Sequence, residues 1–155
     1  MFHSILWPVD GSAMSFKPLQ EVIDLAKLSG GKIVVLSIAQ PRLFYSTEPG
    51  QLQDGKAAEE KHLEAARESV QKVREIGRRA GVECESIVSM SHIPGDAILE
   101  TVQKTNCDLI VMATRGRMGV VDTLFKESTT QDVLRRSPVP VLVFPSQGEG
   151  AVDPG

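Results

Sequence analysis

Two stretches combine residue types that can hold a phosphorylated ligand. The first is Pro8-Val9-Asp10-Gly11-Ser12, which closes the apolar run beginning at Ile5. A carboxylate just past a buried strand can hydrogen-bond a ribose, a base amine or a metal ion. The same residues also suit a plain helix-entry loop, in which Asp10 and Ser12 satisfy backbone donors. The second stretch is Ala113-Thr114-Arg115-Gly116-Arg117-Met118-Gly119, which leads to Ser128-Thr129-Thr130 ahead of a helix. Glycines after a strand let the backbone approach a phosphate, and hydroxyls with free N–H groups at a helix start can bind its oxygens. Arg115 and Arg117 add positive charge. No Gly-Lys-Ser/Thr follows, so this is not a Walker loop. Nor is it the dinucleotide fingerprint, which would have to follow the first strand. An ordinary connecting loop is the competing reading.

Other chemistries find less support. His3, His62 and His92 have no metal-ligand spacing, and there is no Cys-x2-Cys. Cys84 and Cys107 fall in separate apolar runs, which predicts two buried reduced thiols rather than a disulfide. Ser12, Ser128, Thr129 and Thr130 have no His or Lys placed beside them to activate a nucleophile, so no catalytic residue is assigned.

The elements that must position these residues alternate along the chain. Ile5 to Val9 is continuously apolar, as a strand buried on both faces is. Ser12 or Ser15 can cap the next helix, with Pro18 in its first turn if Ser15 is the cap. Leu19, Val22, Ile23, Ala26 and Leu28 supply its apolar stripe, and Gly30-Gly31 ends it. A second buried strand covers Ile33 to Ala39. Pro41 to Gly55 has no period and reads as a long mobile loop. Lys56 to Ala80 predicts a helix with Leu63, Ala66, Val70 and Val73 inside, stopped by Gly81. Val82 to Val88 alternates like a half-exposed edge strand. Pro94 opens a helix through Ala97, Ile98 and Val102. Leu109 to Ala113 is the strongest strand, a short helix follows around Gln131 to Arg136, and Val139 to Phe144 is the last strand. Residues 1–145 read as one domain and 146–155 as a disordered tail. This order predicts an α/β fold: a three-layer α/β/α, doubly wound, five-stranded parallel sheet of Rossmann-like type. Ligands on such sheets bind beyond the strands' carboxyl ends where strand order switches, which selects 8–12 and 114–130.

Composition narrows the partners. The chain has 155 residues, 17 Lys+Arg against 20 Asp+Glu, and a formal charge of -3. That argues against a dedicated DNA-backbone or polybasic membrane binder. Aromatics at 5% are too few for base-stacking platforms. Between Arg115 and Arg136, five cations (Arg115, Arg117, Lys126, Arg135, Arg136) meet three acids (Asp122, Glu127, Asp132), a local +2. No uncharged run approaches the roughly 20 residues of a membrane span, and the N-terminus lacks a signal-peptide pattern, so a cytoplasmic protein is expected.

The chain as a whole resembles the universal stress protein family over residues 1 to 145. The resemblance is carried by Ile5-Leu-Trp-Pro-Val-Asp-Gly-Ser12, the Ala26/Leu28 helix end leading into Ile33 to Ile38, and Pro94 to Leu99. It continues through Asp108-Leu-Ile-Val-Met-Ala-Thr-Arg-Gly116 and Asp132-Val-Leu-Arg-Arg-Ser-Pro-Val-Pro-Val-Leu-Val143. It implies a five-stranded parallel sheet with four or five helices. It also implies a homodimer pairing the last strands, Val139 to Phe144, which would cover an exposed edge. Pro140, lacking an N–H, then belongs at that strand's start or turned away from the ladder. Family members that bind ATP carry Gly-x2-Gly-x9-Gly-Ser/Thr after the fourth strand. Here Ala113 replaces the first glycine and Gly116 matches the second. Nine residues on lies Lys126, while alignment from Val133-Leu134 places Glu127-Ser128 at the last pair. A shifted reading, Gly116-x2-Gly119-x9-Thr129-Thr130, keeps the spacing with Thr for the last glycine. Glu127 beside a triphosphate adds a like charge.

The resemblance thus carries adenine-nucleotide contacts onto Pro8, Val9, Asp10, the backbone of Ile38, Ala113, Gly116, Gly119, Ser128, Thr129 and Thr130. The expected function is a non-catalytic stress-response regulator binding ATP, with Mg2+, or another adenine nucleotide. The alternatives are a dimeric stress protein acting through protein interactions without nucleotide, and, on fold analogy, a slow ATPase.

Overall fold

The computed structural model describes residues 2–10, 13–39, 51–114 and 127–145. Five strands, β1 (Ser4–Val9), β2 (Lys32–Ala39), β3 (Cys84–Met90), β4 (Leu109–Thr114) and β5 (Val141–Pro145), form one parallel sheet in the order β3-β2-β1-β4-β5. The α-helices among the described residues are α1 (Leu19–Ser29), α2 (Gln51–Arg79), α3 (Pro94–Thr105) and α4 (Glu127–Arg136), with a 3-10 turn at Ala13–Phe16.

The continuous apolar runs of β1 and β2 exist because both sheet faces are covered. Ile5, Trp7, Val9, Ile33, Val35 and Val111 point to one face, where Val22, Ile23 and Ala26 of α1 and Val70 and Val73 of α2 pack. Leu6, Val34, Leu36, Ile38, Ile110 and Met112 point to the other, against Ala97, Ile98 and Val102 of α3 and Val133 of α4. Each fully buried aliphatic side chain contributes roughly 1.5–3 kcal/mol, so these two layers hold the central strands rigid beneath whatever binds at their ends. Cys84 and Cys107 are free and buried, as their apolar surroundings predict.

Several boundaries differ from the sequence expectation, each for a physical reason. Neither Ser12 nor Ser15 caps α1; Pro18 stands at its N-cap, with the Pro18 carbonyl accepting the Val22 N–H at 2.9 Å. Ser15 lies within the 3-10 turn instead. Leu28 is 87% exposed rather than in the stripe. At about 100° per residue it falls opposite Leu19, Val22, Ile23 and Ala26, and Leu25 takes the place beside the core. Gly30 does end α1, with φ 66, and the Gly31 N–H closes onto the Ala26 carbonyl at 2.9 Å.

Residues 51–55, read as loop, belong to α2, which starts five residues earlier than expected; 40–50 lie outside the described residues. β5 begins at Val141, not Val139. Pro140 cannot donate to a ladder, and its carbonyl accepts the Ile110 N–H at 3.0 Å just ahead of the strand. The edge character read for the third strand holds: β3 pairs with β2 alone. α4 begins at Glu127, so Ser128, Thr129 and Thr130 form its first turn instead of preceding it. The tail 146–155 lies outside the described residues.

Candidate functional site

β1 passes through α1 to β2 on one side, while β3 passes through α3 to β4 on the other. Strand order therefore reverses between β1 and β4, and a crevice opens beyond their carboxyl ends. Pro8 and Val9 are the last residues of β1 and are buried. Asp10 follows, half-buried, its backbone N–H directed at the Ser15 hydroxyl at 3.4 Å. Ser15 is itself 4% exposed.

Register brings the other strand ends alongside. Val9 pairs with Ser37, so one step on sets Asp10 abreast of Ile38. The Ile33 N–H bonds to Glu83, before β3, and backbone direction alternates along a strand, so Ile38 turns its N–H and carbonyl toward β1. On the other flank Ile5 pairs with Leu109 and Leu6 with Ile110, and β4 runs on past Ala113 to its end at Thr114. Asp10, Ile38 and Ala113 thus occupy three adjacent strand ends. The 3-10 turn steadies this edge, for its Phe16 meets the Trp7 ring of β1 edge-on at 6.0 Å and 81°.

α4 supplies the fourth wall. It returns the chain from the carboxyl end of β4 to the start of β5, so its first turn lies on the ligand side of the sheet. N–H groups in a first turn have no intrahelical acceptor. Ser128 is exposed and Thr129 half-buried. Thr130 is 4% exposed, and its Oγ1 is buried with no hydrogen-bond partner. In α3, Thr101 and Thr105 give their hydroxyls to the carbonyls four residues back, at 2.7 and 2.6 Å. Thr130 makes no such bond. Glu127 is the first residue of α4.

Gly116 and Gly119 lie outside the described residues, as do Arg115, Arg117 and Lys126. Among the described residues no group of three or more His, Cys, Asp or Glu side chains could hold a metal ion. Ser15 was missed as a site residue. Its spacing suggested a helix cap, and only the 3-10 turn reveals that it reaches back to Asp10. The unpartnered state of Thr130 was equally invisible, because it depends on what packs around the first turn of α4.

The sequence profile of the universal stress protein family matches residues 1–145. The chain belongs to the universal stress protein family. It is 32% identical over 145 residues to universal stress protein Sll1654 of Synechocystis, covering 94% of this chain and 87% of that protein. Among solved structures, the hypothetical protein MJ0577 shares the fold at a TM-score of 0.79 and 21% identity, with 96% of this chain and 99% of that one covered. A universal stress protein of Archaeoglobus fulgidus solved with dAMP aligns at a TM-score of 0.63 and 19% identity, over 92% and 97% of the two chains. The doubly wound parallel sheet expected from the sequence is therefore both observed and shared with the family. No helix among the described residues is long and apolar enough to cross a membrane.

Proposed function

We propose that this universal stress protein is a non-catalytic regulator that binds an adenine nucleotide, ATP with Mg2+ in the first instance, across the carboxyl ends of β1, β2 and β4. Asp10 would meet the ribose or the metal, the Ile38 backbone the adenine, and Ala113 with the first turn of α4 the phosphates. The observation that carries this reading is Thr130. A buried hydroxyl without a partner in the first turn of a helix is a donor for an anion, set among backbone N–H groups that also favour one. The Archaeoglobus complex with dAMP, and a universal stress protein solved with cAMP, support the adenine assignment. Gly116, Gly119, Ser128 and Thr129 complete the proposed phosphate loop.

The protein is further proposed to work as a cytoplasmic homodimer joined along β5, the second free edge of the sheet, where Leu142 is 40% exposed. Glu127 at the start of α4 favours a second reading, a dimer acting through protein contacts without nucleotide. Equilibrium dialysis with ATP, ADP and AMP in Mg2+ decides between them. Binding below millimolar ligand is expected; its absence for all three nucleotides would leave the second reading standing.

A further inference from the structure

Within the sheet β5 has a neighbour on one side only, β4. Its ladder fixes which way each residue faces. The Ile110 N–H bonds to the Pro140 carbonyl, and the register runs from Ile110↔Val141 to Thr114↔Pro145. A residue in a parallel strand turns its N–H and carbonyl to the same side, and the sides alternate along the strand. Pro140, Leu142 and Phe144 therefore face β4, while Val139, Val141, Val143 and Pro145 face outward.

This outward row is closed at both ends. Ser137 donates its hydroxyl to the Val139 carbonyl at 2.7 Å and accepts the Val139 N–H at 3.1 Å, so both groups of Val139 are engaged. Pro145 has no N–H to offer. Between them Val141 and Val143 each present a donor and an acceptor, and an unpaired row of this kind is a template for another strand.

Two copies related by a twofold axis pair such a row with itself, antiparallel. The possible alignments differ in what they leave unmet. With Val141 opposite Val141 of the partner subunit, each Val143 meets a Val139 whose N–H is already given away. With Val143 opposite Val143 of the partner subunit, each Val141 carbonyl meets a proline ring. With Val141 opposite the partner's Val143, every N–H and carbonyl of both valines is satisfied. Pro145 then lies opposite the partner's Val139, and neither has a backbone donor to give. The side chains favour the same alignment. Phe144 packs toward α1 and α2, and Val139 and Val141 toward α3 and α4, so Leu142 shares the Phe144 face. Leu142, 40% exposed, then sits on the axis against its own copy. That is a non-hydrogen-bonded pair, the kind whose side chains come closest.

We propose that Ser137 and Pro145 set the register of a homodimer: they close the ends of the β5 edge, so that a second copy of this chain pairs antiparallel with Leu142 on the axis and Val141 opposite the partner's Val143. This rests on the β5 dimer proposed above and adds its alignment, which decides which side chains meet.

The test uses the full chain carrying Leu142→Cys, Val141→Cys or Val143→Cys, oxidised and run on a non-reducing gel, with sedimentation of the reduced protein beside it. The native Cys84 and Cys107 are buried. A disulfide needs Cα atoms within about 7 Å, and the axial pair stands at about 4.5 Å, whereas Val141 and Val143 each lie opposite the other and away from their own copy. Leu142→Cys is expected to give the covalent dimer, and Val141→Cys and Val143→Cys to give none. Adding Pro145→Ala supplies the donor missing from the alignment centred on Val143 and should move cross-linking from position 142 to position 143. Without that addition, cross-linking at 141 or 143 in place of 142 overturns the alignment and leaves the dimer standing. Cross-linking that stays at 142 after Pro145→Ala overturns the role of the proline. A sedimenting dimer that links at none of these positions places the interface off β5, and a monomer removes the dimer reading itself.

Discussion

Thr130→Val separates the binding role of α4 from its packing role. Valine has nearly the same shape and, being β-branched too, nearly the same helix propensity. The substitution therefore deletes one hydroxyl and little else. In the unliganded protein that hydroxyl is buried without a partner. An unsatisfied buried polar group costs about 1–3 kcal/mol, so its removal should stabilise the protein by about 1 kcal/mol or more. For a domain of this size that raises Tm by about 2–4 °C per kcal/mol. If the hydroxyl donates to a phosphate oxygen, its loss costs the complex about 1.5–3 kcal/mol, roughly 10- to 150-fold in Kd. Urea unfolding without ligand and dialysis with ATP measure the two effects on one variant. The expected result is opposite signs: a more stable protein that binds more weakly. A variant that is less stable without ligand would show that the hydroxyl is satisfied, and the reasoning would fail. Unchanged ATP affinity would remove Thr130 from the site.

Three further outcomes are expected. A Cβ added at Gly77 would collide with the Sγ of Cys84, so Gly77→Ala should destabilise by about 1 kcal/mol, overpacking of about 1–3 kcal/mol outweighing the helix gain of about 1 kcal/mol. In a Cys84→Ala background the same change should stabilise, and urea midpoints showing one sign in both backgrounds would refute the contact. Burial pushes the Asp108 carboxyl up, but the N–H groups of His3 and Ser4 and its own, with the nearby His3 charge, draw it below the usual carboxylate range. Its carboxylate is therefore the form favoured by folding, and its contribution is present above about pH 4 and lost as pH falls through the lower folded value. Asp108→Asn should flatten stability against pH below about pH 4, measured by thermal melts across that range. Leu142→Lys should convert a dimer into monomers in sedimentation analysis at low salt while leaving Tm of the monomer fold within a few degrees; an unchanged sedimentation coefficient would place the interface elsewhere.

Much of the fold was legible because its signals are local. Strands β1, β2 and β4 announced themselves as unbroken apolar runs, and Gly30 and Pro94 mark helix ends through constraints on their own φ and N–H. Boundaries that depend on distant neighbours were not legible. Leu28 looks like a core residue by type, but its angle on α1 points it away from the sheet. Residues 51–55 carry loop-forming composition, including Gly55, and α2 nevertheless runs through them.

The candidate site divides the same way. Asp10, Ile38, Ala113 and the hydroxyl run Ser128 to Thr130 could be named from residue type, spacing and family pattern. Their arrangement follows from strand register, which joins residues 28 and 104 positions apart, and no local propensity encodes it. Thr130 is an ordinary threonine until the fold buries its hydroxyl away from any acceptor. The sequence determined which groups are present and which backbone bonds are impossible. Tertiary structure decided which of those groups meet and which are left without partners, because hydrogen-bond satisfaction is set by neighbours far along the chain.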